Sequence, residues 1–68
     1  MQNVTIEQHD LKGWVQKRGF SVEDFAEAVM VSPQAVYWWF RGGKVTQRRR
    51  PHICKVLVVK EDQVLWPE

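Results

Sequence analysis

The chain has little of the chemistry that marks enzymes, secreted scaffolds or membrane proteins. Its one cysteine, Cys54, cannot close an intramolecular disulfide. Cys54 and His52, with His9 far away in sequence, do not make up the ligand set of a tetrahedral metal site. Cys54 is expected instead as a small core residue of a protein in a reducing compartment, by default the cytoplasm. The longest uninterrupted apolar run, Ala35 to Phe40, is too short to span a bilayer, and the N-terminus lacks the apolar stretch of a secretory signal, so no membrane role is expected. No glycine-rich loop follows a strand, no Ser or Cys nucleophile has a partner base, and the acids read as ordinary helix-surface carboxylates. Catalysis, a cofactor and a small-molecule ligand therefore have no support. A length of 68 residues predicts one domain, near the lower size at which a chain without staples buries an adequate core.

The most informative absence is local. From Ala28 to Lys60 there is no acid, while Arg41, Lys44, Arg48, Arg49, Arg50, Lys55 and Lys60 give that stretch +7 and leave −5 for the rest. One electropositive face on a nearly neutral molecule is the pattern of a protein that grips a polyanion with one side.

The stretch Val22 to Arg41 reads as two short helices about a tight turn. Phe25, Ala26 and Val29 share one helical face, and Val36, Trp39 and Phe40 repeat the spacing on a second element. Between them, Ser32 can cap the orphan backbone donors of a new helix and Pro33 suits its first position. This is a helix-turn-helix pattern. Ser21 caps the first of the two helices, with Asp24 placed as its capping-box partner at the positive end of the dipole.

These residues resemble the DNA-binding unit of phage Cro proteins and the N-terminal domains of phage repressors, the Cro/C1-type family. The family's small residue falls at Ala26, its branched crossing residue at Val36, its flanking aliphatics at Val29 and Val31, and its late apolar anchor at Trp39. The preceding run Leu11-Lys-Gly-Trp-Val-Gln-Lys-Arg-Gly-Phe-Ser21 is similar to the family's first helix. The resemblance covers most of the chain and is specific from about Leu11 to Gly43. Two positions depart from it: Met30 in the turn and Val58 at the end of the fourth helix stand where the family commonly has glycine. A Cβ at such a left-handed position costs roughly 1 kcal/mol.

The expected fold is thus all-α, a compact domain of four to five helices. Helix 1 starts either with a capping box at Thr5-Ile6-Glu7-Gln8 or at Asp10, buries Leu11, Trp14 and Val15, and stops at Gly19, with Phe20 plugging the core. Helix 2 runs to about Val29 and helix 3 from Pro33 to Arg41, which ends at Gly42-Gly43. Pro51 requires helix 4 to begin near Arg49 or Arg50; Ile53, Val56 and Leu57 form its core face. Val64 and Leu65 are expected on a short helix 5 starting near Lys60 or Glu61. The alternative is three helices plus a C-terminal β-hairpin, pairing the branched run Ile53 to Val59 with Gln63 to Trp66.

With Val36, Trp39 and Phe40 turned in, helix 3 turns out Gln34, Tyr37, Trp38 and Arg41. Gln34 is suited to pair bidentately with adenine, and Tyr37 and Trp38 to cover thymine methyls or the sugar backbone; these three are the candidate base readers. Three arginines near a helix N-terminus oppose its dipole, so the run Arg48, Arg49 and Arg50 invites a functional explanation in phosphate contact. Arg41, Lys44, Ser32 and, by the family's docking mode, Ser21 complete the phosphate set. The implied partner is a double-stranded DNA operator, bound as a homodimer with half-sites about 34 Å apart. Val64, Leu65 and Trp66 are the expected dimer contact. Since the chain carries no sensor or cleavage domain, it is expected to act as a Cro-like transcriptional repressor. The competing reading is a protein-interaction module that uses the aromatics of helix 3.

Overall fold

The computed structural model describes residues 7 to 67. Four α-helices follow a first short strand: β1 (His9–Asp10), α1 (Leu11–Lys17), α2 (Val22–Ala28), α3 (Pro33–Phe40) and α4 (Arg50–Leu57). A 3-10 turn (Glu61–Gln63) and a second strand, β2 (Val64–Leu65), close the chain. The domain is mostly helical with a minimal sheet.

The first three helices start where a side chain satisfies one of the orphan donors. Asp10 caps α1 by accepting from Gly13 N–H at 2.8 Å, Ser21 caps α2 by accepting from Asp24 N–H at 3.1 Å, and Ser32 caps α3 by accepting from Ala35 N–H at 3.3 Å. Of the two starts open for helix 1, the structure takes Asp10; Thr5 and Ile6 lie outside the described residues. Gly13, a weak helix former, has a reason to be there. A Cβ on it would stand 2.9 Å from Asp10 Oδ1 and 3.1 Å from His9 Cβ, so the cap and the strand need the space. The fourth helix alone lacks a side-chain cap, since Arg49 occupies its N-cap position.

All four helices end in a left-handed residue, with the paired backbone bonds of a Schellman turn. Gly19 and Gly42 serve α1 and α3 at φ 79° and 101°, whereas α2 and α4 use Met30 at φ 63° and Val58 at φ 58°. At Met30 the bonds run from Val31 N–H to Ala26 O (2.9 Å) and from Met30 N–H to Glu27 O (3.2 Å). At Val58 they run from Val59 N–H to Cys54 O (3.0 Å) and from Val58 N–H to Lys55 O (3.3 Å). Both positions where the resemblance implies glycine therefore adopt the conformation that favours it, and a branched Val at positive φ is a strained choice.

One core unites the elements: Leu11, Trp14 and Val15 from α1, Phe25 and Ala26 from α2, Val36 and Trp39 from α3, and Ile53, Cys54 and Leu57 from α4. Val29, Val45 and Val64 complete it. The packing of α2 on α3, which four residues connect, is the most extensive of any pair of elements.

The C-terminal end corrects two expectations. Val64 and Leu65 form no helix 5 but pair in parallel with the start of the chain, His9 with Val64 and Asp10 with Leu65. The hairpin alternative fails as well, because Ile53 to Leu57 is helical and the two strands are parallel. A parallel pair needs a long crossover; here all four helices lie between the strands. Side chains fasten the strand pair. The Trp14 indole N–H donates to Gln63 O at 2.7 Å, Gln8 donates to Asp62 O at 2.8 Å, and Arg18 Nε donates to Leu57 O at 2.8 Å, at the C-terminus of α4. The Arg18 guanidinium also lies 5.1 Å from the centre of the Trp14 ring.

Candidate nucleic-acid interface

The capped start of α3 fixes its rotation, and its sides then sort as the helical period requires. Val36 and Trp39 are buried and Phe40 half-buried, while Gln34, Tyr37, Trp38 and Arg41 are exposed. Tyr37 keeps 45 % of its surface accessible and Trp38 60 %. Of the four consecutive aromatics Tyr37 to Phe40, the first two face outward, and Trp38 is the more exposed. Its ring lies against the backbone of Gly43, whose N–H bonds back to Trp38 O at 2.8 Å.

Trp39 and Phe40 stand on either side of the inward-pointing Val36, and each borders a separate depression beside the outward stripe. On the Phe40 side an open groove is lined by Lys12, Gln16, Ser21, Tyr37 and Arg41 over a floor of Val15, Phe20 and Val22. This brings Ser21, at the α2 N-terminus, to the same groove as Tyr37 and Arg41. Lys12 adds a cation there, although its place in the sequence marks it only as an outward surface residue. On the Trp39 side a second depression is lined by Val29, Met30, Arg48, Arg49, His52 and Ile53. The turn before α3 and the first two arginines of the run therefore meet, although about eighteen residues separate them in the chain.

The candidate phosphate ligands divide. Among the described residues, Arg41, Lys44, Arg48 and Arg49 make no side-chain hydrogen bond or ion pair, and neither does Gln34. Arg50 is engaged by the fold: its Nε donates to Val45 O at 3.3 Å and its guanidinium lies 5.1 Å from the centre of the Trp66 ring. The position of Arg50 in the first turn of α4 turns it back toward the protein. Ser32 spends its hydroxyl on capping α3, as Ser21 does on α2, and both remain exposed.

The expected dimer contact does not survive as a unit. Val64 is 4 % exposed and belongs to the core, and Trp66 is half-buried beneath Arg50 with its indole N–H donating to Glu61 O at 3.1 Å. Of the three, Leu65 alone is exposed. Alternation along a strand produces that split, which a helical reading of the segment hides.

The two groups with a displaced pKa, Glu7 and Cys54, lie off this face. Glu7, 2.8 Å from both Lys17 Nζ and His9 Nε2, is lowered to about 2, chiefly by the hydrogen bond from Lys17 and then that from His9. Burial, with a smaller push from Glu61, raises the Cys54 thiol to about 11 and keeps it protonated, as befits a core residue. Among the described residues no cluster of three metal-binding side chains occurs, and no helix is long and apolar enough to cross a membrane.

The structure defines a small, mostly helical domain with an exposed aromatic and polar helix bordered on both sides by cations. No family model, curated protein or solved structure matches the chain.

Proposed function

We propose that the protein binds double-stranded DNA in a sequence-specific manner, laying α3 in the major groove and acting as a Cro-like transcriptional regulator. The observation that carries this reading is the outward stripe of α3, Gln34, Tyr37, Trp38 and Arg41, bordered on one side by Arg48 and Arg49, which have no side-chain partner among the described residues, and on the other by Lys12 and Ser21. A major groove about 12 Å wide admits one helix, with phosphates on both rims. Groups that read bases belong on the outward stripe, and groups that hold phosphate belong beside it. Gln34, one turn or less from the α3 N-terminus, reads adenine; Tyr37 and Trp38 cover the apolar parts of neighbouring nucleotides. Arg41, Lys44, Arg48, Arg49 and Lys12 hold phosphates. The absence of acid from Ala28 to Lys60 leaves α3 and the arginine run without a carboxylate to repel a polyanion. A homodimer on a two-fold site is part of the proposal, with Leu65 the exposed apolar residue among Val64, Leu65 and Trp66.

A second reading, a protein-interaction module, draws on the same exposed aromatics together with Met30, which is 82 % exposed. Selection from a randomised duplex pool decides between them. DNA reading predicts a preferred sequence for the wild type and a relaxed preference at one base pair for Gln34→Ala, with a loss of roughly 1–3 kcal/mol of discrimination. If no duplex is retained even at low salt, the DNA reading is wrong and the aromatic face belongs to a protein partner.

A further inference from the structure

Gly43 is buried, yet its φ is not in the left-handed region, so its backbone conformation is open to any residue. What excludes a larger residue is one neighbour. A Cβ on Gly43 would overlap Nε1, Cδ1 and Cε2 of Trp38. The indole lies flat on the glycine with one face covered, and the backbone bond from Gly43 N–H to Trp38 O ties the two residues together. The rest of the ring is open to solvent. An exposed tryptophan normally samples several rotamers, and fixing it on binding costs affinity. Here the ring is packed on Gly43 before any ligand arrives.

We propose that Gly43 is a positioning residue for DNA recognition, holding Trp38 as a preset aromatic surface on the flank of α3 that meets the apolar part of a nucleotide. The inference rests on the DNA-binding reading above and adds to it a residue that touches no DNA. It makes the location of Trp38, and not merely its presence, the determinant of affinity. Gly43→Ala keeps the indole but displaces it. Because Trp38 is at the surface, the ring can swing outward without disturbing the core, so the variant should fold.

The test measures binding of a fluorescein-labelled duplex, taken from the randomised-pool selection, to wild type, Trp38→Ala, Gly43→Ala and the double variant. The expected result is that each single change weakens binding about 10-fold and the double change weakens it no further, since the glycine acts only through the ring. In the free protein, the Trp38 indole N–H signal, assigned by its disappearance in Trp38→Phe, should be ordered in wild type and mobile in Gly43→Ala. Replacing thymines by uracils in the duplex identifies the nucleotide part: a weakening that depends on Trp38 marks a thymine methyl, and no change marks the deoxyribose. If wild type binds and Gly43→Ala binds equally well, or if the two single effects add, the positioning role is wrong while DNA binding stands. A mobile Trp38 indole in wild type overturns it too, and does so without relying on any variant. If wild type binds no duplex, the DNA reading itself has failed and the inference falls with it.

Discussion

Two regions of the molecule, the strand pair with its fastenings and the outward face of α3, use the same residue types in opposite ways. Around the strand pair, Arg18 donates to the carbonyls at the end of α4, Trp14 to Gln63 and Gln8 to Asp62, and Lys17 and His9 converge on Glu7. On the α3 face, Gln34, Arg41, Lys44, Arg48 and Arg49 have no protein partner among the described residues, and Trp38 lies open to solvent. The first region spends its polar groups on holding the chain ends together. The other leaves them available at a cost, since Arg48 and Arg49 beside the uncapped start of α4 oppose its dipole. That arrangement, which costs stability and leaves donors free, is what the DNA-binding proposal draws on.

Truncating matched residues in the two regions is the strongest way to break that comparison. Trp14→Ala should lose about 3–5 kcal/mol, enough to unfold so small a domain, whereas Trp38→Ala should stay within about 1 kcal/mol of wild type in chemical denaturation. Comparable destabilisation at the two tryptophans would erase the distinction. Arginines sharpen it further. Arg18→Ala removes the bonds to Leu57 O and Val58 O and should cost about 1–2 kcal/mol while leaving DNA binding per folded molecule unchanged. The double change of Arg48 and Arg49 to Ala should do the reverse. It should raise stability by a few tenths to ~1 kcal/mol as the dipole is relieved. The salt dependence of DNA affinity should become shallower by about 0.9 for each phosphate that the variant no longer neutralises.

Next in size are the two strained helix ends. Val58 is 78 % exposed, so Val58→Gly gives up little packing and relieves the left-handed Cβ, at the expense of a more flexible unfolded chain. The balance should be a gain of roughly 0.5–1 kcal/mol, read as a melting temperature higher by a few degrees. Met30→Gly should gain a similar amount. The smallest effect concerns pH. Because the folded pKa of Glu7 lies near 2 and the ordinary value is 4.5, the folded state binds fewer protons in that window. The contribution of Glu7 is then complete above pH 4.5 and is lost as pH falls toward 2. The Glu7 side chain is 48 % exposed, so added salt or Lys17→Ala should flatten this part of the acid-unfolding curve.

The helices and their rotation were legible in the sequence because they rest on local rules. Ser21, Ser32 and Pro33 mark the starts, Gly19 and Gly42 the stops, and the spacing of Val36 and Trp39 tells which side of α3 faces inward. The parallel ladder was not legible, since two-residue strands are too short to show alternation and their pairing joins opposite ends of the chain. That omission placed Val64 and Leu65 on a helix and offered Val64 and Trp66 to a second copy. Val45 went unread because it is a lone buried residue in a segment without secondary structure. On the candidate interface, the outward stripe was read correctly. The separation of Arg50 from Arg48 and Arg49 was not, because composition shows the charge of an arginine and not the carbonyl or ring that already holds it.

The central claim is that the α3 face, and not the strand pair, meets DNA. Chemical-shift mapping of the isotope-labelled protein during titration with the selected duplex tests this most directly. The account predicts shifts concentrated at Ser21, Gln34, Tyr37, Trp38, Arg41, Arg48 and Arg49, with Gln8, His9 and Arg18 unmoved and any change at Leu65 arising from contact between the two copies. Shifts centred on the strand pair, or none along α3, would contradict it.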